Sequence, residues 1–549
     1  MHWGPGNRCE KILIIQMCRM GDVVQSLPLL KRLKQTKPTC ETTLLCIRES
    51  IELLNGCPLV DRFVAVPYAY YKTLHAIRSP SPRLGFILSL PELCESYDLV
   101  VNLTHGYFSA LICQAVASRK KSGRFYLGED RVGVAGDWGK YLFCAVSSRA
   151  NRMENLINLV DIHVGMAGLA HGAMDRWLDV KEGEAARAEE ILKSSGWKQT
   201  GKLAALQLGA NELHRAWPVG NFAALGSYLA GRLGAEVVLL GSPGEKRLGE
   251  DFLGQTSAEI VNLIGKTRVA DLPSILQRCD LLISNDTGTS HIAAAVGTRV
   301  LGLYFSTAYF AETGPFGSGH LVLQVQTECS PCQNQRCEQT WCRDYLDVEA
   351  VKTAAERMLY GKKGALPDYP NLGAYESRFL SNGTMIYAPI TSRVPEGYET
   401  AFINGMFWQR ALGLVPDKEF EDEMLEKLAP SPSFRAKVEA LGRRYALLAR
   451  LYRDGLKVLS DAARFDQRPP TQCDTVLEAL AGINAHIFSA AESTIMGTFH
   501  DYEIMDMDWT NDVEAGRKLI EKYAKLRRMA EGFSGLFSQW HCLDGGPRG

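Results

Sequence analysis

Short apolar runs alternate with amphipathic stretches along the first two thirds of the chain. Runs such as "KILIIQM", "TTLLCI" and "LVVNLT" are rich in aliphatic and β-branched residues, and stretches with helical spacing, such as Ser26–Lys37, separate them. A second set of the same kind begins at "KLAALQLGA" and ends at "VLGLYF". Because strands that alternate with helices form parallel sheets with crossover helices, the pattern predicts two successive α/β halves.

The pattern changes after residue 360. Residues 361–372, "GKKGALPDYPNL", are rich in glycine and proline, which is typical of a linker. Apolar residues then recur at spacings of three and four, which predicts helices over Met424–Leu428, Phe434–Tyr452, Thr475–Ala490 and Asp512–Met529. We therefore expect three regions: an α/β domain over residues 1–170, a second α/β domain over 171–360, and a linker with a mainly helical extension over 361–549.

The overall charge and the apolar content restrict the function. With 61 basic and 62 acidic residues the net charge is -1, so the chain lacks the excess positive charge that holds nucleic acid. No apolar run approaches the roughly 20 residues that span a bilayer, and "MHWGPGNRCE" lacks the basic and apolar regions of a signal peptide. We expect a cytoplasmic protein without a nucleic-acid partner.

One acid follows the first predicted strand, in "KILIIQMCRMGDVVQSLPLL". Ligands of open parallel sheets bind beyond the carboxyl ends of the strands, where Gly21 and Asp22 lie. Asp22 is either a first-turn acid that accepts hydrogen bonds from free helix N–H groups or a group of the binding site. The pattern by itself favours the capping role, while Gly21 permits close approach of a ligand to the backbone.

A second turn carries an unusual run of small and capping residues, in "LLISNDTGTSHIAAAVG". Free N–H groups, hydroxyls and the positive end of the helix dipole meet at such a turn, which favours an anion. The run is longer than a helix cap requires, so it predicts a diphosphate site. The candidate residues are Asp286, Thr287, Gly288, Ser290 and His291.

Two further turns of the second half carry candidate residues. Gly209 follows a strand, and Arg215 precedes Trp217-Pro218. Arg215 is either a surface charge or a cation that offsets the charge of a departing phosphate. Glu245, in "GSPGEKR", is either an ordinary first-turn glutamate or an acceptor for ribose hydroxyls.

Four of the fifteen cysteines are clustered with the spacing C-x2-C-x4-C-x4-C. Four thiolates at this spacing in a reducing compartment suit a tetrahedral structural metal, zinc or iron. The alternative is a loop with reduced thiols. The candidate ligands are Cys329, Cys332, Cys337 and Cys342.

The motifs "KILIIQMCRMGDVVQSLPLLKRLKQTKP" and "LISNDTGTSHIAAAVGTRVLGLY" together resemble glycosyltransferase family 9, the ADP-heptose heptosyltransferase family, over about residues 11–358. The resemblance implies a GT-B fold, in which two Rossmann-like domains face a cleft. It implies that residues 1–170 hold the acceptor and residues 171–360 the nucleotide sugar. The implied reaction is an inverting transfer of a heptose or related sugar from an ADP-sugar, with no cofactor required for catalysis.

The resemblance also implies roles for the candidate residues. Asp22 matches the general base that deprotonates the acceptor hydroxyl, and the turn from Asp286 to His291 matches the part that binds the donor diphosphate and sugar. Arg215 stands where the family often has lysine to stabilise the leaving diphosphate. Gly21 matches the glycine of the same family motif as Asp22, and Gly209 and Glu245, chosen from the residues alone, complete the expected donor site.

The acceptor and the partners stay open at this point. The sequence is compatible with three acceptors: a lipopolysaccharide core, another lipid-linked or surface glycan, and a protein hydroxyl. It is also compatible with peripheral contact with the cytoplasmic face of the inner membrane and with an oligomer. Two alternatives use the same fold. One is a nucleotide-sugar epimerase or hydrolase; the other is a non-catalytic sugar-nucleotide-binding protein, in which Asp22 is only a cap.

Overall fold

The computed structural model describes residues 10–541 apart from 55, 77–79, 129–130, 334–336, 338–339, 362–365, 392–393, 396 and 464–511. The chain divides into two compact units, the first made of residues 1–139 and 157–396, the second of 140–156 and 397–549. Both α/β halves lie in the first unit. Within the described residues, no helix is both long and apolar enough to cross a membrane.

The first half is built on a six-stranded sheet. Its strands, in the spatial order β3-β2-β1-β4-β5-β6, are parallel except for the pair β5–β6. β1 lies in the middle with Ile12–Ile15 fully buried, which explains its unbroken apolar run. The strands are β1 (Lys11–Gln16), β2 (Glu41–Ile47), β3 (Arg62–Val66), β4 (Ser96–Asn102), β5 (Ala117–Gly128) and β6 (Arg131–Ala135).

Helices connect the strands of this sheet and follow it in the chain, and those within residues 140–156 belong to the second unit. The helix after β1 places its first turn at the carboxyl end of the central strand, where the sequence analysis expects a ligand. The helices are α1 (Met20–Thr36), α2 (Tyr68–Ala76), α3 (Pro80–Leu88), α4 (Tyr107–Ala115), α5 (Asp137–Ala145), α6 (Arg149–Glu154) and α7 (Leu159–Met166).

The second half is built on an eight-stranded sheet with the order β14-β13-β12-β11-β10-β7-β8-β9. The six strands from β12 to β9 pair in parallel, and their apolar side chains form one buried core. The strands are β7 (Leu203–Gln207), β8 (Glu236–Leu240), β9 (Ile260–Asn262), β10 (Leu281–Asn285), β11 (Arg299–Tyr304), β12 (Leu321–Val325), β13 (Leu372–Phe379) and β14 (Met385–Pro389). The helices are α8 (Glu182–Ser194), α9 (Val219–Gly231), α10 (Lys246–Leu253), α11 (Leu272–Arg278), α12 (Gly288–Ala295), α13 (Phe310–Thr313) and α14 (Val348–Tyr360).

The hairpin β13–β14 belongs to the second sheet, although the sequence analysis assigned its residues to the mainly helical extension. It pairs antiparallel with β12 at the sheet edge. Its loop contains Asn382-Gly383, with Gly383 at φ +83° and the Asn382 side chain accepting from the backbone N–H of Thr384 at 3.0 Å. Asn-Gly between two apolar runs is the hairpin signal that reveals these strands in the sequence.

The second unit is helical among its described residues. The predicted helices at 424–428, 434–452 and 512–529 lie within α16, α17 and α18, whereas α15 was not predicted. The predicted helix Thr475–Ala490 falls outside the described residues. Residues 140–156 also belong to this unit rather than to the first sheet. The helices are α15 (Tyr398–Ala411), α16 (Lys418–Leu428), α17 (Pro432–Ala463) and α18 (Asp512–His541).

A candidate nucleotide-sugar cleft

A cleft of about 1230 Å³ lies within the first unit, between the carboxyl ends of the two sheets. The start of α1 and residues of α2 form one wall, and the turns after β7, β8 and β10 form the other. Ser290 is fully buried behind the wall. The predicted site residues that line the cleft are Gly21, Asp22, Gly209, Arg215, Glu245, Asp286, Thr287, Gly288 and His291.

Asp22 lies in the first turn of α1 and acts as a cap. Its Oδ2 accepts a hydrogen bond from the backbone N–H of Arg19, the residue before the helix, at 3.0 Å. Burial raises the pKa of the Asp22 carboxyl to about 6, and the charge of Asp286 adds to this shift. The capping bond therefore orients the carboxyl, while its surroundings make it more basic than an ordinary aspartate.

The starts of α1 and α12 approach each other at a pair of glycines. A Cβ atom added to Gly21 would lie 3.1 Å from Gly288 Cα and 3.1 Å from His291 Cδ2. One added to Gly288 would lie 3.3 Å from the backbone nitrogen of Gly21. The absence of side chains at both positions allows the two helix starts to come this close.

The turn after β10 is held by its own hydroxyl groups. Ser290 Oγ donates to the carbonyl of Asn285 at 3.3 Å, and the hydroxyls of Ser284 and Thr287 lie 3.0 Å apart. Burial lowers the pKa of His291 to about 4, so its imidazole is neutral at neutral pH. His291 therefore adds no positive charge to this turn, whereas the start of α12 carries the positive end of the helix dipole.

Arg215 is brought beside this turn by a buried amide. Asn285 accepts from the backbone N–H of Trp217 at 3.0 Å and donates to the carbonyl of Gly209 at 3.1 Å, which ties the turn after β7 to the end of β10. The guanidinium of Arg215 forms an ion pair with Asp286. Asn285 positions both turns. The sequence analysis counts it only as part of the run of small and capping residues, because a buried amide has no sequence signature that reveals such a role.

Glu245 is fixed by two donors at the far end of the cleft. Its Oε2 accepts from the backbone N–H of Ser242 at 2.6 Å, and its Oε1 accepts from Gln207 Nε2 at 3.0 Å. A Cβ atom at Gly209 would overlap Glu245 Oε1, so a larger residue there would push the Glu245 side chain away from its two donors. The carboxylate is oriented before any ligand arrives.

The sequence analysis also missed a contact across the cleft. With the amide oxygen of Asn211 turned toward it, the guanidinium of Arg19 donates hydrogen bonds to Asn211. Arg19 belongs to the first half and Asn211 to the second, and both line the cleft. Neither residue lies in a recognisable motif, so only the fold brings them together.

The four clustered cysteines do not form a metal site in the structure. Among the described residues, no three or more His, Cys, Asp or Glu side chains are grouped so that they could hold a metal ion. Burial raises the pKa of the Cys342 thiol, and Cys329, Cys337 and Cys332 lie near enough to add to this shift.

Two Rossmann-like sheets that face a cleft form the GT-B architecture, and a raised-pKa carboxylate on one side with a helix start suited to diphosphate on the other suits an enzyme that acts on a nucleotide sugar. Residues 90–341 match the family model of glycosyltransferase family 9 (heptosyltransferase), so the chain contains a domain of that family. The resemblance predicted from the two motifs is confirmed.

Comparison with individual proteins and structures gives matches to the same family. The chain is 25% identical over 293 residues to lipopolysaccharide heptosyltransferase 3 of Escherichia coli (strain K12), covering 52% of this chain and 80% of that protein. It is 27% identical over 313 residues to lipooligosaccharide heptosyltransferase 2 of Haemophilus influenzae, covering 54% and 84%. A crystal structure of a family 9 glycosyl transferase from Veillonella parvula shares the fold, with a TM-score of 0.50 and 20% identity over 64% of this chain and 98% of that one.

Proposed function

We propose that this enzyme transfers a heptose or related sugar from an ADP-sugar to a hydroxyl group of a lipopolysaccharide core or another surface glycan. The observation that carries the proposal is the meeting of Asp22, Arg215 and the turn from Asp286 to His291 in one cleft. The names of the related heptosyltransferases support the sugar and the glycan acceptor. A protein hydroxyl is the other acceptor that the same chemistry accommodates.

In the proposed reaction Asp22 takes the proton of the acceptor hydroxyl as that oxygen attacks the anomeric carbon. The new carbon–oxygen bond forms on the face opposite the diphosphate. The bond from the anomeric carbon to the β-phosphate oxygen breaks, and ADP leaves with the electron pair. Attack opposite to departure inverts the anomeric carbon.

The environment of Asp22 supports this role. A pKa of about 6 leaves the carboxyl mostly ionised at neutral pH, yet makes it a stronger base than a free aspartate. The hydrogen bond from Arg19 fixes its direction. Capping and catalysis are therefore compatible functions of one residue.

In the proposed reaction, the opposite wall of the cleft stabilises the leaving diphosphate. In the proposal the N–H groups at the start of α12 bind the diphosphate, and Arg215 moves from its ion pair with Asp286 toward the new negative charge. Gly209 and Gly288 let the ligand lie against the backbone, while Glu245 accepts from the ribose. No metal or other cofactor takes part in this step.

Incubation with ADP-heptose and candidate acceptors, followed by ADP release and product analysis, tests the proposal. ADP release that requires an acceptor, together with a glycosylated product of inverted configuration, is the expected result. Free sugar or an isomerised donor would indicate the hydrolase or epimerase alternative. Bound but unchanged donor would indicate a sugar-nucleotide-binding protein.

The metal prediction for Cys329, Cys332, Cys337 and Cys342 is a separate proposal about structure. Its support is that the four thiols are neighbours, although they would have to move together to bind zinc or iron. Elemental analysis of protein purified without chelator tests it: about one equivalent of metal is expected, and none would overturn it. Sedimentation with inner-membrane vesicles tests whether the protein makes the peripheral membrane contact that the sequence leaves open, and light scattering tests whether it forms an oligomer.

A further inference from the structure

Two tyrosines line the cleft on the side of the first sheet. Tyr68 and Tyr71 belong to α2 and share this wall with Asp22 and Arg19. The side chain of Tyr68 is 44% exposed although it lines a cleft. Neither tyrosine has a part in the donor site or in the chemistry proposed above.

The protein holds this aromatic surface in place. The backbone N–H of Tyr68 donates to Glu49 at 3.2 Å, which caps the start of α2. The ring of Tyr71 packs on Phe108, with centroids 6.4 Å apart. Burial raises the pKa of Tyr71 to about 12, with further contributions from Cys18 and Tyr68, so its phenol is neutral. Lys72 lies over one face of the Tyr68 ring, at 5.5 Å from its centroid.

The charges of the cleft limit what can bind beside these rings. Among the described residues that line it there are two arginines, and four carboxylates, those of Asp22, Glu212, Glu245 and Asp286. Arg215 pairs with Asp286, and Arg19 with Asn211. The proposed ADP-sugar already brings a diphosphate into this space. A second anion next to Asp22 would meet more lining carboxylates than lining arginines, while Lys72, over the Tyr68 ring, is not among the residues that line the cleft.

We propose that Tyr68 and Tyr71 form the acceptor subsite, and that the accepting hydroxyl is carried by an uncharged saccharide ring that stacks on them. This inference rests on the proposed glycosyl transfer. The C–H groups on one face of a pyranose form an apolar surface that packs on the face of an aromatic ring, whereas its hydroxyls stay at the edge for hydrogen bonds. Stacking on α2 would hold the hydroxyl near Asp22 without any ion pair.

Steady-state kinetics of leucine and phenylalanine variants test the subsite. We expect Tyr68→Leu and Tyr71→Leu to raise KM for a neutral saccharide acceptor about tenfold, because stacking is lost, and to leave KM for the ADP-sugar within about twofold. Tyr68→Phe should keep the acceptor KM close to that of the wild type. Tyr70→Leu is the matched control, since Tyr70 is 45% exposed on the same helix but outside the cleft lining. An unchanged acceptor KM in both leucine variants would overturn the subsite.

A binding experiment separates this inference from the proposed reaction. Saturation-transfer NMR with a methyl heptopyranoside, in the presence of ADP, should give signal with the wild type and at least tenfold less with the Tyr68→Leu/Tyr71→Leu double variant. A phosphorylated counterpart of the same saccharide should bind at least tenfold more weakly than the neutral one. Tighter binding of the phosphorylated saccharide, or equal signal from the double variant, would refute the inference. If saccharide binds in this way but no sugar is transferred, the proposed function fails while the subsite stands.

Discussion

Asp22, in the helix after β1 of the first sheet, and Asp286, in the turn after β10 of the second sheet, line the same cleft. The charge of Asp286 contributes to the raised pKa of Asp22. The larger contribution is the burial of Asp22 itself. Asp286 in turn forms an ion pair with Arg215. The proposed base and the proposed leaving-group cation are thus linked electrostatically through one carboxylate.

Asp22→Asn should abolish transfer and spare donor binding. The amide keeps the shape and can accept the capping hydrogen bond from Arg19, but it cannot take a proton. We expect turnover to fall by about 10³-fold, within the range typical of a lost general base. ADP release measures turnover, and calorimetry with ADP-sugar should give a dissociation constant within about threefold of the wild type. Full turnover in this variant would remove Asp22 from the catalytic role.

The pH dependence of kcat/KM should show an acid limb near pH 6. Asp22 must be ionised to act as a base, so activity should fall about tenfold per pH unit below the pKa of about 6. Asp286→Asn removes a negative neighbour and frees Arg215, and both effects lower the pKa of Asp22. The limb of that variant should therefore move to lower pH. A limb that stays at pH 6 would show that another group controls it.

The ionisation of Asp22 should also make protein stability depend on pH. Ionisation favours activity but disfavours the folded state, so the two pH dependences should have opposite signs. Because the pKa of Asp22 is higher in the folded protein than its ordinary value of 3.8, the neutral form is favoured by folding. The stability contributed by Asp22 is present below about pH 4 and is lost as the pH rises through about 6. Asp22→Asn should consequently raise Tm at pH 7.5 but not at pH 4. Equal shifts in Tm at the two pH values would contradict this account.

Two substitutions of Arg215 should distinguish the contribution of its positive charge from that of its side-chain geometry. Arg215→Ala leaves the departing diphosphate without its cation and the Asp286 carboxylate without its ion-pair partner, so we expect turnover to fall by about 10²- to 10³-fold. Arg215→Lys keeps the charge and should lose no more than about tenfold. Single-turnover ADP release measures the chemical step. Equal losses in the two variants would indicate that shape rather than charge matters at this position.

A methyl group at the glycine contact should push α1 and α12 apart. The Cβ of Gly21→Ala would lie 3.1 Å from backbone and from His291, so we expect a loss of about 1–3 kcal/mol in the free energy of unfolding, measured with denaturant. Gly183→Ala is the control, because an added Cβ there meets no heavy atom within 4 Å and alanine favours a helix. A Gly21→Ala protein as stable as the control variant would contradict this prediction and show that the contact between the two helix starts adjusts to a methyl group.

Much of the fold was accessible from local patterns. The apolar runs of β1 and β10 signal buried strands, and the small residues after them signal turns, which in the structure line the cleft. Short segments carry this information because strand burial and backbone hydrogen bonding depend mainly on neighbouring residues. Gly21, Asp22 and the turn from Asp286 to His291 were found for that reason. The hairpin β13–β14 was not predicted. The residues after it have apolar side chains at helical spacing, and the prediction of a helical region was applied to the hairpin as well, although Asn382-Gly383 indicated a turn.

The sequence by itself determined the two α/β halves, the family, and the residue types at the ends of the strands. Only the tertiary structure decided that Asp22 both caps α1 and shares a cleft with Asp286, that Asn285 ties two turns together, and that Tyr68 and Tyr71 face the same space. The physical reason is that burial and charge act through space. A raised pKa, an ion pair or an aromatic wall depends on atoms that are distant in the sequence, and no local pattern records which of them will meet.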